Sequence, residues 1–155
     1  MNQLRIIAGK WRGRKISFMD QEGLRPSPDR VREALFNWLQ NEIVGAQCLD
    51  LFAGSGALSL EAASRGAGHV TCIELNAESA ACIKENIALI QANQITLLQQ
   101  DALNYLKTGK AESNYDLVLL DPPFNENLLE ESCELLESNS WLTASALIYL
   151  ESDQA

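Results

Sequence analysis

A single histidine and four scattered cysteines (Cys48, Cys72, Cys82, Cys133) leave the chain poor in metal ligands. No C-x-x-C pair occurs and three of the cysteines fall inside apolar runs, so free buried thiols are expected and neither disulfides nor a metal site. Long apolar runs are missing too: none approaches the roughly 18 residues that span a membrane. The start, Met1-Asn2-Gln3-Leu4-Arg5, lacks the apolar stretch of a signal peptide, which makes the cytoplasm the expected location. Internal repeats and low-complexity tracts are absent. Basic residues are scarce, 12 against 21 acidic ones for a net charge of −9, and taken alone that balance argues against a nucleic-acid partner.

The distribution of charge says otherwise. Residues 1–32 hold eight of the twelve bases (Arg5, Lys10, Arg12, Arg14, Lys15, Arg25, Arg30, Arg32) and three acids (Asp20, Glu22, Asp29), a net of +5. The other 123 residues hold four bases and eighteen acids, a net of −14. A basic arm on an acidic body localises a polyanion at one edge and repels it elsewhere. With 155 residues, 46% of them hydrophobic, the body is one domain with a short appendage.

The appendage, residues 1–45, reads as a hairpin (Leu4 to Ala8, a turn through Gly9 to Gly13, then Lys15 to Met19) followed by a helix. Ser27-Pro28 suggests an N-cap with proline at the first helical position. Val31, Leu35, Trp38 and Leu39 recur at helical spacing and are expected to face the core. From Ala46 to Ala155 strands and helices alternate. Strands are expected at Gln47–Phe52, His69–Ile73, Ile95–Gln99, Tyr115–Leu120 and Ala144–Leu150; helices at Ala57–Arg65, Ala77–Gln91, Leu103–Leu106 and Glu126–Glu137. Short, near-continuously apolar strands alternating with helices imply an α/β, doubly wound, Rossmann-like fold with a mostly parallel sheet. Its ligand sites lie beyond the carboxyl ends of the strands.

The candidate chemistry falls at those ends. The first strand of the alternating region runs into Leu49-Asp50-Leu51-Phe52-Ala53-Gly54-Ser55-Gly56, where two glycines permit a tight turn and close backbone approach at a helix N-terminus. The third glycine of a dinucleotide fingerprint is replaced by Ser59. Asp50 would repel a pyrophosphate and orient a cationic, amino-bearing ligand, which favours S-adenosylmethionine over a dinucleotide. Glu74 ends the second strand 18 residues beyond Gly56, in register to accept both ribose hydroxyls of an adenosine. Asp101-Ala102 follows the third strand, where an adenine amino group would lie; an aspartate capping the next helix explains it almost as well. The fourth strand ends in Asp121-Pro122-Pro123-Phe124. The prolines make a stiff, donor-poor turn with an outward carbonyl at Pro122, Asp121 adds a carboxylate, and Phe124 adds a flat face. Together they suit a planar heteroaromatic amine, which two acceptors hold and one ring stacks upon.

DPPF together with LDLFAGSGALSLEAASRGA resembles the amino-methyltransferases of the class I fold. RIIAGKWRGRKI and LRPSPDRVREALFNWL resemble the bacterial RsmD family, guanine-N2 methyltransferases of small-subunit (16S) ribosomal RNA. The resemblance implies an S-adenosylmethionine site at Asp50, Phe52, Ala53, Gly54, Gly56, Glu74, Leu75, Asp101 and Ala102. It implies a guanine site at Asp121, Pro122, Pro123 and Phe124, and RNA contacts at Arg5, Lys10, Arg12, Arg14, Arg25 and Arg30. The expected partner is 16S ribosomal RNA within the assembling or assembled small subunit, with no membrane and no metal. Two other readings stand beside it: an adenine-N6 or protein-glutamine methyltransferase, because D/N-P-P-F/Y loops serve several planar amines, and a non-catalytic RNA-binding remnant. The second arises because class I enzymes finish with a sixth and a seventh strand, whereas Glu151 to Ala155 follow directly on the fifth. On this reading the last strands are lacking, and the fifth strand is an open edge.

Overall fold

A computed structural model describes residues 2–19, 28–109, 114–122 and 126–150. The hairpin is β1 (Asn2–Arg5) and β2 (Lys15–Phe18), antiparallel with Leu4 opposite Ile16. Pairing extends to Ile6, whose N–H donates to the Arg14 carbonyl. It stops at Ile7 and Ala8, short of the expected Ala8, because their N–H groups donate to the Glu61 carboxylate at 2.9 and 3.1 Å. Helix α1 (Asp29–Trp38) follows, with Pro28 as the N-cap residue itself. Its ring fixes φ at −57°, but ψ is extended at 153°, so the helix starts one residue later than expected. Ser27 lies outside the described residues, as do Arg25, Pro123, Phe124 and Glu151 to Ala155.

Strands β3 (Gln47–Asp50), β4 (His69–Ile73), β5 (Ile95–Leu98), β6 (Tyr115–Leu120) and β7 (Leu142–Leu150) form one sheet in the order β5-β4-β3-β6-β7. All four pairings are parallel. Helices α2 (Ala57–Ser64), α3 (Ala77–Ile90), α4 (Ala102–Thr108) and α5 (Glu126–Ser138) connect them. The chain steps outward from β3 through β4 to β5, then returns to β6 and steps out to β7. Right-handed crossovers therefore send α2 and α3 to one face and α4 and α5 to the other. The two cores agree. Ile6, Trp11, Ile16, Phe36, Leu39, Leu60 and Ile83 share one apolar cluster, and Tyr105, Leu106, Leu136 and Trp141 share the other. The hairpin and α1 thus form an added layer on the α2–α3 face.

Within α1 the core stripe is Arg32, Leu35, Phe36 and Leu39, and Trp38 departs from expectation at 77% exposed. At 100° per residue, Arg32, Leu35, Phe36 and Leu39 span one arc, and Trp38 falls about 110° from its centre. Val31 lies at the edge of that arc and is half-buried. Strand β7 begins at Leu142, two residues earlier than expected, and its register with β6 shifts between Tyr115 and Leu117, so residues beyond Leu142 bulge before pairing resumes at Leu147. It lies at the sheet edge among the described residues. All four cysteines are free thiols; Cys133 is half-buried and the others buried. No helix among the described residues is long and apolar enough to cross a membrane.

Candidate active site

The carboxyl ends of β3, β4, β5 and β6 gather at one end of the sheet, and the strand order reverses between β3 and β6. At such a switch point the flanking loops diverge to opposite faces and leave a crevice. The glycine loop enters it from β3 and Asp121-Pro122 from its hydrogen-bonded neighbour β6. The sequence therefore brings its two strongest candidates side by side.

Gly54 (φ 58°) and Gly56 (φ 81°) take left-handed conformations that L side chains resist. Gly56 is also the N-cap of α2, and a Cβ there would meet Ile83 Cγ1 at 2.9 Å. Glu74 closes the loop from the side. Its Oε1 accepts the Gly54 N–H and its Oε2 the Asn76 N–H, both at 2.8 Å. A carboxylate offers about four lone-pair sites, so one donor on each oxygen leaves capacity for two hydroxyls. Leu75, next to it, is 63% exposed and presents an apolar surface. Phe52 is half-buried, Ala53 is buried, and the Ala53 N–H donates to the Ile73 carbonyl at 3.0 Å, tying β3 to β4.

Asp50 points inward. Its Oδ2 accepts the Ser59 hydroxyl at 2.7 Å, and the residue is 1% exposed. It thus holds the first turn of α2 behind the glycine loop. Burial pushes its pKa up to about 7, opposed by the Ser59 hydrogen bond and reinforced by the Glu74 charge. Because the native state keeps this proton to higher pH than the unfolded chain, ionising Asp50 destabilises the fold, and stability falls as pH rises from about 4 to 7. Thermal melts of Asp50→Asn across that range are expected to lose this component; an unchanged pH dependence would show that Asp50 ionises normally.

Asp101 is the N-cap of α4, accepting the Asn104 N–H at 2.9 Å, and Ala102 behind it is buried. The capping role is therefore filled, by one of its two oxygens. Asp121 is half-buried and Pro122 buried; Pro123 and Phe124 lie outside the described residues. Among the described residues no group of three His, Cys, Asp or Glu side chains is placed to hold a metal ion.

The basic arm divides. Arg5, Lys10, Arg12, Arg14, Lys15 and Arg30 are exposed. Arg32, one of the eight bases that make the arm positive, is wholly buried: its guanidinium donates to the Arg5 carbonyl, to Glu61 Oε1 at 3.2 Å and to Asp29. Its charge is spent inside the protein.

Glu61 is a structural anchor that is absent from the candidates named from the sequence. Wholly buried, it also accepts the Arg65 Nε–H at 2.8 Å and so joins α1, α2 and the hairpin turn. Ser64 adds to this, accepting the Trp11 N–H and donating to the Ala8 carbonyl. A lone acid in ALSLEAAS, a helix otherwise of small and apolar residues, was the available signal.

The family model described as conserved hypothetical protein 95 matches residues 4–155. Ribosomal RNA small subunit methyltransferase D of Escherichia coli (strain K12) is 49% identical over 97% of this chain and 75% of its own length. The enzyme of the same name from Haemophilus influenzae is 46% identical over 98% of this chain and 80% of its own length. The solved structure of yhhF from Escherichia coli superposes with a TM-score of 0.89 at 47% identity, covering 97% of this chain and 81% of that one. Five strands in parallel array, a hairpin ahead of them and relatives this similar place the chain in one family. It belongs to the RsmD family and is a methyltransferase.

Proposed function

We propose that the chain transfers a methyl group from S-adenosylmethionine to the exocyclic N2 of a guanine in 16S ribosomal RNA. The observation that carries this is the pairing of β3 with β6, which sets the Glu74-tied glycine loop beside Asp121-Pro122. The residues fit an adenosyl sulfonium. Gly54 and Gly56 leave backbone without side chains, Glu74 keeps lone pairs for two ribose hydroxyls and suits a cationic ligand over a pyrophosphate, and Leu75 offers an apolar flank for the adenine. Asp50, buried behind the glycine loop, supports it from within through Ser59 and does not itself face the ligand. Phe52, Ala53, Asp101 and Ala102 complete the proposed lining. Calorimetry on Glu74→Ala is expected to show cofactor binding weakened by about 1–3 kcal/mol; unchanged affinity would remove Glu74 from the site.

When bound, S-adenosylmethionine supplies an electrophilic methyl group on sulfur. The chain's task is to present a poor nucleophile, since the N2 lone pair of guanine is delocalised into the ring. Asp121 and the Pro122 carbonyl accept its N–H groups and favour an amine rehybridised toward tetrahedral. Pro123 and Phe124 are assigned to the guanine site by the family resemblance, Phe124 as the ring on which the base would stack. Placing the reacting atoms within about 3–3.5 Å then does most of the work. Residues 1–45 serve as the RNA-binding extension, through Arg5, Lys10, Arg12, Arg14, Arg25 and Arg30, and residues 46–155 as the cofactor-binding domain. The proposed place of action is the cytoplasm, with the ribosomal RNA substrate. The test is methyl transfer from a labelled donor to small ribosomal subunits that lack the modification: label is expected in the RNA fraction. Label in ribosomal protein, or none, would contradict the proposal.

A further inference from the structure

The hairpin turn lies at the wrong end of the sheet to touch the target base. Helices α2 and α3 both leave the carboxyl ends of their strands and descend to the amino ends. The turn is fastened where they finish: the Lys10 N–H donates to the carbonyl of Ser64, the last residue of α2, at 2.8 Å. The Arg14 guanidinium reaches the carbonyl of Leu89, one residue from the end of α3, at 3.5 Å. Along α3, at 1.5 Å per residue, that places Arg14 roughly 20 Å from Glu74.

The surface around the turn has the chemistry of an RNA contact. Lys10, Arg12 and Arg14 are exposed there. The neighbouring loops, 39–46, 65–68 and 91–94, contain one acid, Glu42, while five acids sit on α5 across the sheet. Trp38, 77% exposed, ends α1 at the same end of the molecule, since the preceding Asn37 accepts a hydrogen bond from Arg65, which follows Ser64. An exposed aromatic ring at the same end of the molecule as a set of exposed cations offers a face for unpaired bases to stack on and charges that neutralise phosphates.

We infer that the amino-terminal end of the sheet is an RNA-docking surface, built from Lys10, Arg12, Arg14 and Trp38, that grips the substrate at the end of the sheet opposite the methylated base, about 20 Å from Glu74. The inference rests on the RNA-methylating reading and specifies it: the substrate is an RNA whose backbone reaches both ends of the domain. A photocrosslinking residue in place of Arg12 in the full chain, incubated with unmethylated small subunits, tests it by mapping the crosslinked nucleotides and the methylated base on the same particles. Crosslinks to RNA away from the methylated guanine are expected. The variant K10A/R12A/R14A should bind the particles on the order of tenfold more weakly at low salt and flatten the salt dependence by up to about three units, one per phosphate contact. W38A should weaken binding without changing that slope. Crosslinks to ribosomal protein or to the methylated base itself, no crosslink, or an unchanged slope would each overturn the inference. Failure of the wild-type chain to methylate the particles would instead overturn the functional reading, and distal RNA crosslinks from position 12 would stand.

Discussion

Asp121→Ala is expected to lower single-turnover methyl transfer by a factor on the order of 10²–10³, the loss that follows deletion of a preorganised polar group at a reacting centre. Asp121→Asn should retain part of the rate, because the amide keeps one acceptor oxygen for the amine N–H. The contrast between the two variants is more informative than either alone. Equal losses would mean that the full negative charge is needed and that Asp121 takes the proton. Wild-type rates in the alanine variant would reduce Asp121-Pro122 to a turn. Cofactor affinity should stay within a few-fold in both, since Asp121 follows β6 while the glycine loop proposed for the cofactor follows β3. Phe124→Ala should slow transfer through poorer placement of the base, and Phe124→Tyr should be mild.

Glu61→Ala is expected to destabilise the fold by about 3–5 kcal/mol, the cost of breaking one side of a buried ion pair. The carboxylate accepts from the Ile7 and Ala8 N–H groups, Arg32 and Arg65, and neither it nor Arg32 is exposed. Removing it takes one carboxylate from the buried Arg32 guanidinium, which keeps Asp29 and the Arg5 carbonyl, and leaves the Ile7 and Ala8 N–H groups without their acceptor. For a chain of this size each kcal/mol moves the melting temperature by roughly 2–4 °C, so a drop of about 10 °C is expected. The double variant E61A/R32M should recover part of that loss, because the buried charge, left with one carboxylate partner fewer, leaves with Arg32. A melting temperature within 2 °C of wild type in E61A would show that the hairpin is held by its apolar contacts, Ile6, Trp11 and Ile16, alone.

Much of this architecture was readable from residue patterns, and the exceptions share a cause. Strands His69–Ile73 and Tyr115–Leu120 match their expected bounds because a strand buried on both faces is a mostly apolar run, and each is ended by an acidic residue. The left-handed turn at Gly54 and Gly56 and the place of Glu74 just after β4 were legible because backbone conformation and spacing along a βαβ unit are local properties. Trp38 was misplaced because spacing alone does not show where the core arc is centred; buried Arg32 and Phe36 shift it away from tryptophan. Arg32 was counted as surface charge because its partner, Glu61, stands 29 residues away in another helix. The position of Lys10, Arg12 and Arg14 at the far end of the sheet followed only from where Ser64 and Leu89 fasten the turn. Each of these depends on tertiary packing that composition and periodicity do not encode.

The most direct measurement is the identity of the product. Small ribosomal subunits lacking the modification would be incubated with the wild-type chain and labelled S-adenosylmethionine, and the RNA digested to nucleosides and separated by mass spectrometry. All of the label is expected in N2-methylguanosine. Label in N6-methyladenosine would show that the Asp121-Pro122 site holds a different planar amine, and unlabelled RNA would contradict the assignment of this chain as a guanine-N2 methyltransferase.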